Sequence, residues 1–146
     1  MPKNAYFAAL CCKDQNVNPL FNFLGARFVR AEDGEAVIEL PVTNRLAQGA
    51  GVVAGGILAT LADEAMAHAV MSMLAEGQQT VTTEMNIRYL RATDPEGKGM
   101  LTGTGKIVKL GRSIITAEAA IHDDQGRLLA TSGGSFFVIE RERVIV

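Results

Sequence analysis

Two short groups of residues have the types and spacing to do chemistry. The first is Asp63, which sits in an apolar run at helical spacing with Ala59, Thr60, Ala67 and Val70 on its own side. A carboxylate among such neighbours is costly unless it meets a partner. There it can serve as a general base or as a nucleophile. The second is Gly55-Gly56, where that run begins. The first N–H groups of a helix lack intrahelical acceptors and carry the positive end of its dipole, and the missing side chains allow close approach. Gly55 N–H is therefore the candidate donor to a developing oxyanion. The alternative for Asp63 is a solvent-facing carboxylate, which adjacent Glu64 makes credible.

Both groups depend on one helix. From Gly56 to about residue 75 the chain is rich in Ala, Leu and Met, and Ile57, Leu58, Leu61, Ala62, Ala65, Ala69 and Val70 recur at helical spacing. The apolar positions cover more than half the circumference, so the helix is expected to be buried on most sides. Before it, residues 26–42 alternate apolar and polar, and Asp33-Gly34 marks a tight turn between two strands. Residues 43–56 are glycine-rich and irregular. After the helix, strands are expected at 81–91, 99–110, 113–122 and 127–140, separated by turn residues, with an antiparallel meander as the economical topology. Residues 4–24, broken at Asn18-Pro19, suggest one or two short helices, and 141–146 a continued strand or tail. The expectation is an α+β domain spanning 1–146, with about six antiparallel strands wrapped around one long central helix. A sheet of this kind leaves an edge or an apolar flank uncovered, which favours self-association.

Composition narrows the partners. A 146-residue chain that is 48% hydrophobic has material for one core. A charged fraction of 21% and a net charge of -2 lack the basic excess that nucleic acid or an anionic membrane requires. Lys13 and Asp14 interrupt the early apolar stretch well short of a membrane span. Cys11 and Cys12 are adjacent and cannot close a loop, which fits a reduced, cytoplasmic setting. His68 and His122 are the only histidines, too few for a histidine metal site or a Ser-His-Asp triad. His68 lies five residues past Asp63, about 140° around the helix, and is expected to be structural.

The stretch from Gln48 to Asp63 resembles the signature of hotdog-fold acyl-CoA thioesterases of the phenylacetate-degradation type, within the 4-hydroxybenzoyl-CoA thioesterase superfamily. That signature has Asn or Gln, two residues, Gly, two residues, His-Gly-Gly, and an acid seven positions on; the chain matches its spacing with Gln48, Gly51, Gly55, Gly56 and Asp63. Val81-Thr82-Thr83-Glu84-Met85-Asn86 and Gly111-Arg112-Ser113 also look like the family's later strands, so the resemblance covers roughly residues 20–140. It implies hydrolysis of an acyl-CoA at a site formed across a dimer interface, with a homodimer or homotetramer as the working unit. CoA enters as part of the substrate, and no cofactor is implied. Asp63 would act as base or nucleophile on a carbonyl held by Gly55 of the other chain. Gln48 would orient water or the thioester oxygen, and Thr82 would hold a water near the acid. Each has a plainer reading, a solvated loop amide for Gln48 and a strand-forming residue for Thr82. Among Arg88, Arg91, Lys106, Lys109 and Arg112, cations able to meet CoA phosphates, the turn Gly111-Arg112-Ser113 matches the family best, and Arg91, Gly56 and Ala54 join it as substrate-binding candidates.

Ala54 departs from the family, which usually has His there. An alanine cannot hydrogen-bond a substrate, so two functions stand side by side: a thioesterase of reduced rate, and a non-catalytic protein that binds acyl-CoA or a related ligand. A hotdog dehydratase is a third reading, but its Asp/His motif is not found.

Overall fold

A computed structural model describes residues 5–12, 15–97 and 99–140. The expected tail at 141–146 lies outside the described residues, as do Lys13 and Asp14.

The N-terminal segment forms α1 (Ala5–Cys11), a 3-10 turn (Gln15–Val17) and α2 (Pro19–Leu24). Asn18 caps α2 by accepting from Phe21 N–H at 3.3 Å, and Pro19 takes the first helical position, where its missing N–H costs nothing. Strands β1 (Arg27–Glu32) and β2 (Glu35–Pro41) follow as the expected hairpin. Asp33 and Gly34 both take positive φ, 51° and 82°, as a two-residue hairpin turn demands. On β2, Ala36, Ile38 and Leu40 are buried and their neighbours half-buried, the alternation read from the sequence.

The central helix α3 runs Gly55–Met71 and stops short of residue 75. Ser72 ends it. Its hydroxyl donates to Ala69 C=O at 2.6 Å and accepts from Gly34 N–H at 2.9 Å, so the helix end is tied to the β1–β2 turn. Met73 and Leu74 then bond three residues back, in tightened turns that do not propagate.

The remaining strands are β3 (Gln78–Tyr89), β4 (Met100–Leu110), β5 (Ile114–His122) and β6 (Leu128–Glu140). All pair antiparallel in one six-stranded sheet, ordered β1-β2-β4-β5-β6-β3. This corrects the expected meander, which holds only for β4-β5-β6. Because α3 crosses the inner face of the sheet, the strand after it lands on the far edge, beside β6. The chain then returns to set β4 against β2.

The core lies between α3 and the sheet: Leu58, Leu61, Ala62, Ala65, Met66 and Val70 face Ile38, Leu40, Leu101, Ile115, Ile121 and Phe136, all buried. The helix comes closest at β4. A Cβ on Gly105 would lie 2.1 Å from Ala65 C=O, so backbone rests on backbone there. Phe7, Leu10 and Phe21 close the end of the core.

Candidate active site

Asp63 and Thr82 meet. Thr82 lies on β3 opposite Phe136, on the inward side of the sheet. Its Oγ1 donates to Asp63 Oδ1 at 2.7 Å. A bulge follows at once between Thr82 and Glu84, which re-aims the strand. Asp63 is half-buried, and Thr82 bonds it directly, where the resemblance implied a hydroxyl holding a water near the acid.

Gly55 opens α3, with Ala54 as N-cap and no side-chain cap bond. The Ala54 carbonyl accepts from Ile57 and Leu58, while no acceptor among the described residues meets Gly55 N–H or Gly56 N–H. Gln48 sits in a tight turn: its N–H bonds Val52 C=O at 2.9 Å, and its side-chain Oε1 accepts from Ala50 N–H. That oxygen thus helps to shape the loop.

The cations stand apart from the acid. Arg112 is exposed at the β4–β5 turn. The row Thr82, Phe136, Ile115, Leu110 puts β6 and β5 between Thr82 and that turn, about 14 Å at three strand spacings. Gly111 makes the turn possible, since a Cβ there would lie 2.1 Å from Ile114 C=O. Ser113 C=O accepts from Val138 N–H. Arg91 is exposed two residues beyond β3, and no hydrogen bond or ion pair among the described residues links Arg91 or Arg112 to Asp63. A cleft of about 570 Å³ between α1, β1 and the end of α3 shares none of these residues.

Two side chains escaped the sequence reading. Tyr89, last in β3, donates its hydroxyl to Gly55 C=O at 2.8 Å. Thirty-four positions separate them, and no local pattern announces the contact. The other is Glu64. It does not share a solvated face with Asp63 but turns inward, its side chain 21% exposed. Burial, with the Asp63 charge beside it, pushes its carboxyl up to about 7. Its neighbour His68 is a core residue, as expected. Its Nδ1 donates to Glu64 C=O at 2.7 Å, Tyr6 OH donates to its Nε2 at 2.9 Å, and Asn18 Nδ2 donates to that hydroxyl at 2.9 Å. Phe21 stacks on the ring. Burial holds the imidazole down at about 4 and the Tyr6 phenol up at about 12. Cys11 and Cys12 are free and exposed. Among the described residues, no group of His, Cys, Asp or Glu could hold a metal, and no helix is long and apolar enough to cross a membrane.

A six-stranded antiparallel sheet wrapped on one long central helix is the hotdog architecture. The family model of the thioesterase superfamily matches residues 50–130, more than half of the chain, and the chain belongs to that superfamily. The proofreading thioesterase EntH of Klebsiella pneumoniae is 33% identical over 114 residues, 78% of this chain and 81% of the relative. Among solved structures, the Escherichia coli PaaI protein of the phenylacetic acid degradation operon superposes with a TM-score of 0.80 at 24% identity, covering 93% of this chain and 94% of that one. A Streptococcus mutans protein bound to acetyl CoA superposes at 0.71 and 22% identity, over 80% of this chain and 90% of that one.

Proposed function

We propose that the protein hydrolyses an acyl-CoA thioester to the free acid and CoA, in a site completed by a second subunit. The observation that carries this reading is the Thr82-held carboxylate of Asp63 on a helix that begins with free amides. Eight residues of helical rise separate Asp63 from Gly55, about 12 Å. A general base stands about 3 Å from the attacking water, and the oxyanion donor about 3 Å from the carbonyl oxygen. That separation favours a carbonyl held by Gly55 of the partner subunit over one held by Gly55 of the same chain, as the resemblance to the family implies.

A second copy has a place to pair. β3 is an edge strand of twelve residues whose outer side pairs with no other strand among the described residues. Thr82 and Tyr89 lie on it, and pairing along it would bring the two helices together. The assembly proposed is a homodimer, or a homotetramer of two such dimers, working in the cytoplasm.

In the reaction, Asp63 takes a proton from water as the water oxygen attacks the carbonyl carbon. Negative charge on the carbonyl oxygen goes to the amide at the helix start. Collapse breaks the C–S bond, and the departing thiolate recovers the proton from Asp63. If Asp63 attacks directly, an anhydride forms first and water then releases the acid. Arg112 and Arg91 are the cations proposed for the CoA phosphates, with Ala54, Gly56, Gly111 and Ser113 beside the ligand. Gln48 is assigned the thioester oxygen or the water through its amide.

Ala54 supports a second reading, in which the pocket binds CoA esters without turnover. Thiol release from short-chain, long-chain and aryl acyl-CoA esters separates the two. Turnover lost in Asp63→Ala is expected; CoA-ester binding with no turnover in wild type supports the second reading. Mixing Asp63→Asn with Gly55→Ala subunits tests the shared site. Random exchange gives one intact site per mixed dimer and about a quarter of full activity. Mixtures no more active than either variant alone place the whole site in one chain.

A further inference from the structure

The start of α3 has no side-chain cap, and its first two residues are glycines. Such a turn is conformationally loose, yet an oxyanion donor must be fixed in direction before the reaction. Two hydroxyls meet it. Tyr89 donates to Gly55 C=O at 2.8 Å, and Thr60 Oγ1 donates to Gly56 C=O at 2.9 Å. Thr60 is the helix's own next turn; Tyr89 arrives from the sheet. Its ring also stands against Gly55, where a Cβ would lie 3.1 Å from Cζ and 3.2 Å from the phenol oxygen. Gly56 faces open space.

Gly55 C=O and Gly56 N–H belong to one planar peptide unit. A bond to that oxygen therefore sets where that N–H points. We propose that Tyr89 is a positioning residue for the thioester site: by holding the Gly55 carbonyl, it aims the Gly56 amide at the substrate's carbonyl oxygen and steadies the helix start on which the Gly55 amide stands. The inference rests on the hydrolytic reading above and adds a residue to it. It also gives Gly55 a reason to be glycine beyond ligand access, since any side chain there displaces the phenol.

Tyr89→Phe keeps the ring and removes the bond. The expected result is a kcat about tenfold lower, with KM for the acyl-CoA ester within about twofold and melting temperature unchanged. In 15N-labelled protein the Gly55 and Gly56 amide signals should shift or broaden. Unchanged kcat with unchanged glycine amides overturns the proposal, and so does a loss carried by KM or by melting temperature. The amide signals need no turnover. Full activity in Asp63→Asn, which defeats the hydrolytic reading, is therefore distinguishable from failure of this one.

Discussion

The Thr82 hydroxyl donates to Asp63 Oδ1 at 2.7 Å, tying the sheet's edge strand to the middle of its helix. The bond leaves Oδ2 without a hydrogen-bond partner among the described residues and so open to a water. Thr82→Val removes the donor at nearly constant shape. We expect kcat to fall about tenfold to a hundredfold, since a hydrogen bond to a charged group contributes roughly 1.5–3 kcal/mol. Thr82→Ser should keep most of the activity. Equal kcat for Val and Ser at this position would reduce Thr82 to a strand former.

At the helix N-terminus, Ala54→His restores the residue type the family signature carries. If a positioning contact is what alanine lacks, turnover of the best acyl-CoA ester should rise by about tenfold or more. Parallel kcat measurements on wild type, Ala54→His and Ala54→Asn check it. No gain in either variant means that the loop holds the thioester without help from residue 54.

Glu64 predicts a pH dependence of stability. Its carboxyl titrates at about 7 in the fold against 4.5 when free. The folded state therefore binds the proton more tightly, and stability is lost as pH rises from about 4.5 through 7. His68 works oppositely: held down at about 4 against 6.5, it costs stability as pH falls from 6.5 through 4. Glu64→Gln isolates the first effect, because His68 is common to both proteins. The variant should be more stable than wild type at pH 8 by on the order of 2–3 kcal/mol, and by under about 1 at pH 5. Denaturant melts at the two pH values decide; an equal difference at both would mean that Glu64 does not titrate between them.

Packing gives a fourth test. Gly105→Ala drives a methyl into the Ala65 carbonyl, 2.1 Å away, and should destabilise by about 3 kcal/mol or more. Gly133→Ala on β6 meets nothing nearer than 3.7 Å and should be nearly neutral. Equal melting midpoints for the two variants would show that α3 can lift off β4 at little cost.

Much of this was legible because it is local. Apolar residues at helical spacing marked α3, and Asp33-Gly34 marked the first hairpin. A carboxylate set among alanines pointed to Asp63 before any partner was visible. What escaped is nonlocal. Strand neighbours are set by where α3 delivers the chain, which alternation along β3 cannot encode. Gly103 and Gly105 do alternate within a strand pattern, a signal of close backbone approach, but which element approaches is a tertiary fact. Glu64 looked like a partner of Asp63 on a wet surface, yet one residue turns a helix by about 100°, enough to send the second carboxylate toward α2. Tyr89 reads as one more strand aromatic until the fold sets it over Gly55.

β3 is both the sheet's free margin and the strand that carries Thr82 and Tyr89. If two copies zip together along it, the parts that hold the acid and the amides become the parts that feel association. Concentration would then act as a hidden control: dilution past the dissociation midpoint would lower the turnover per chain, and remixing would restore it with a lag set by collision. Specific activity that stays flat over a thousandfold dilution, with monomers forming meanwhile, would uncouple the seam from the chemistry.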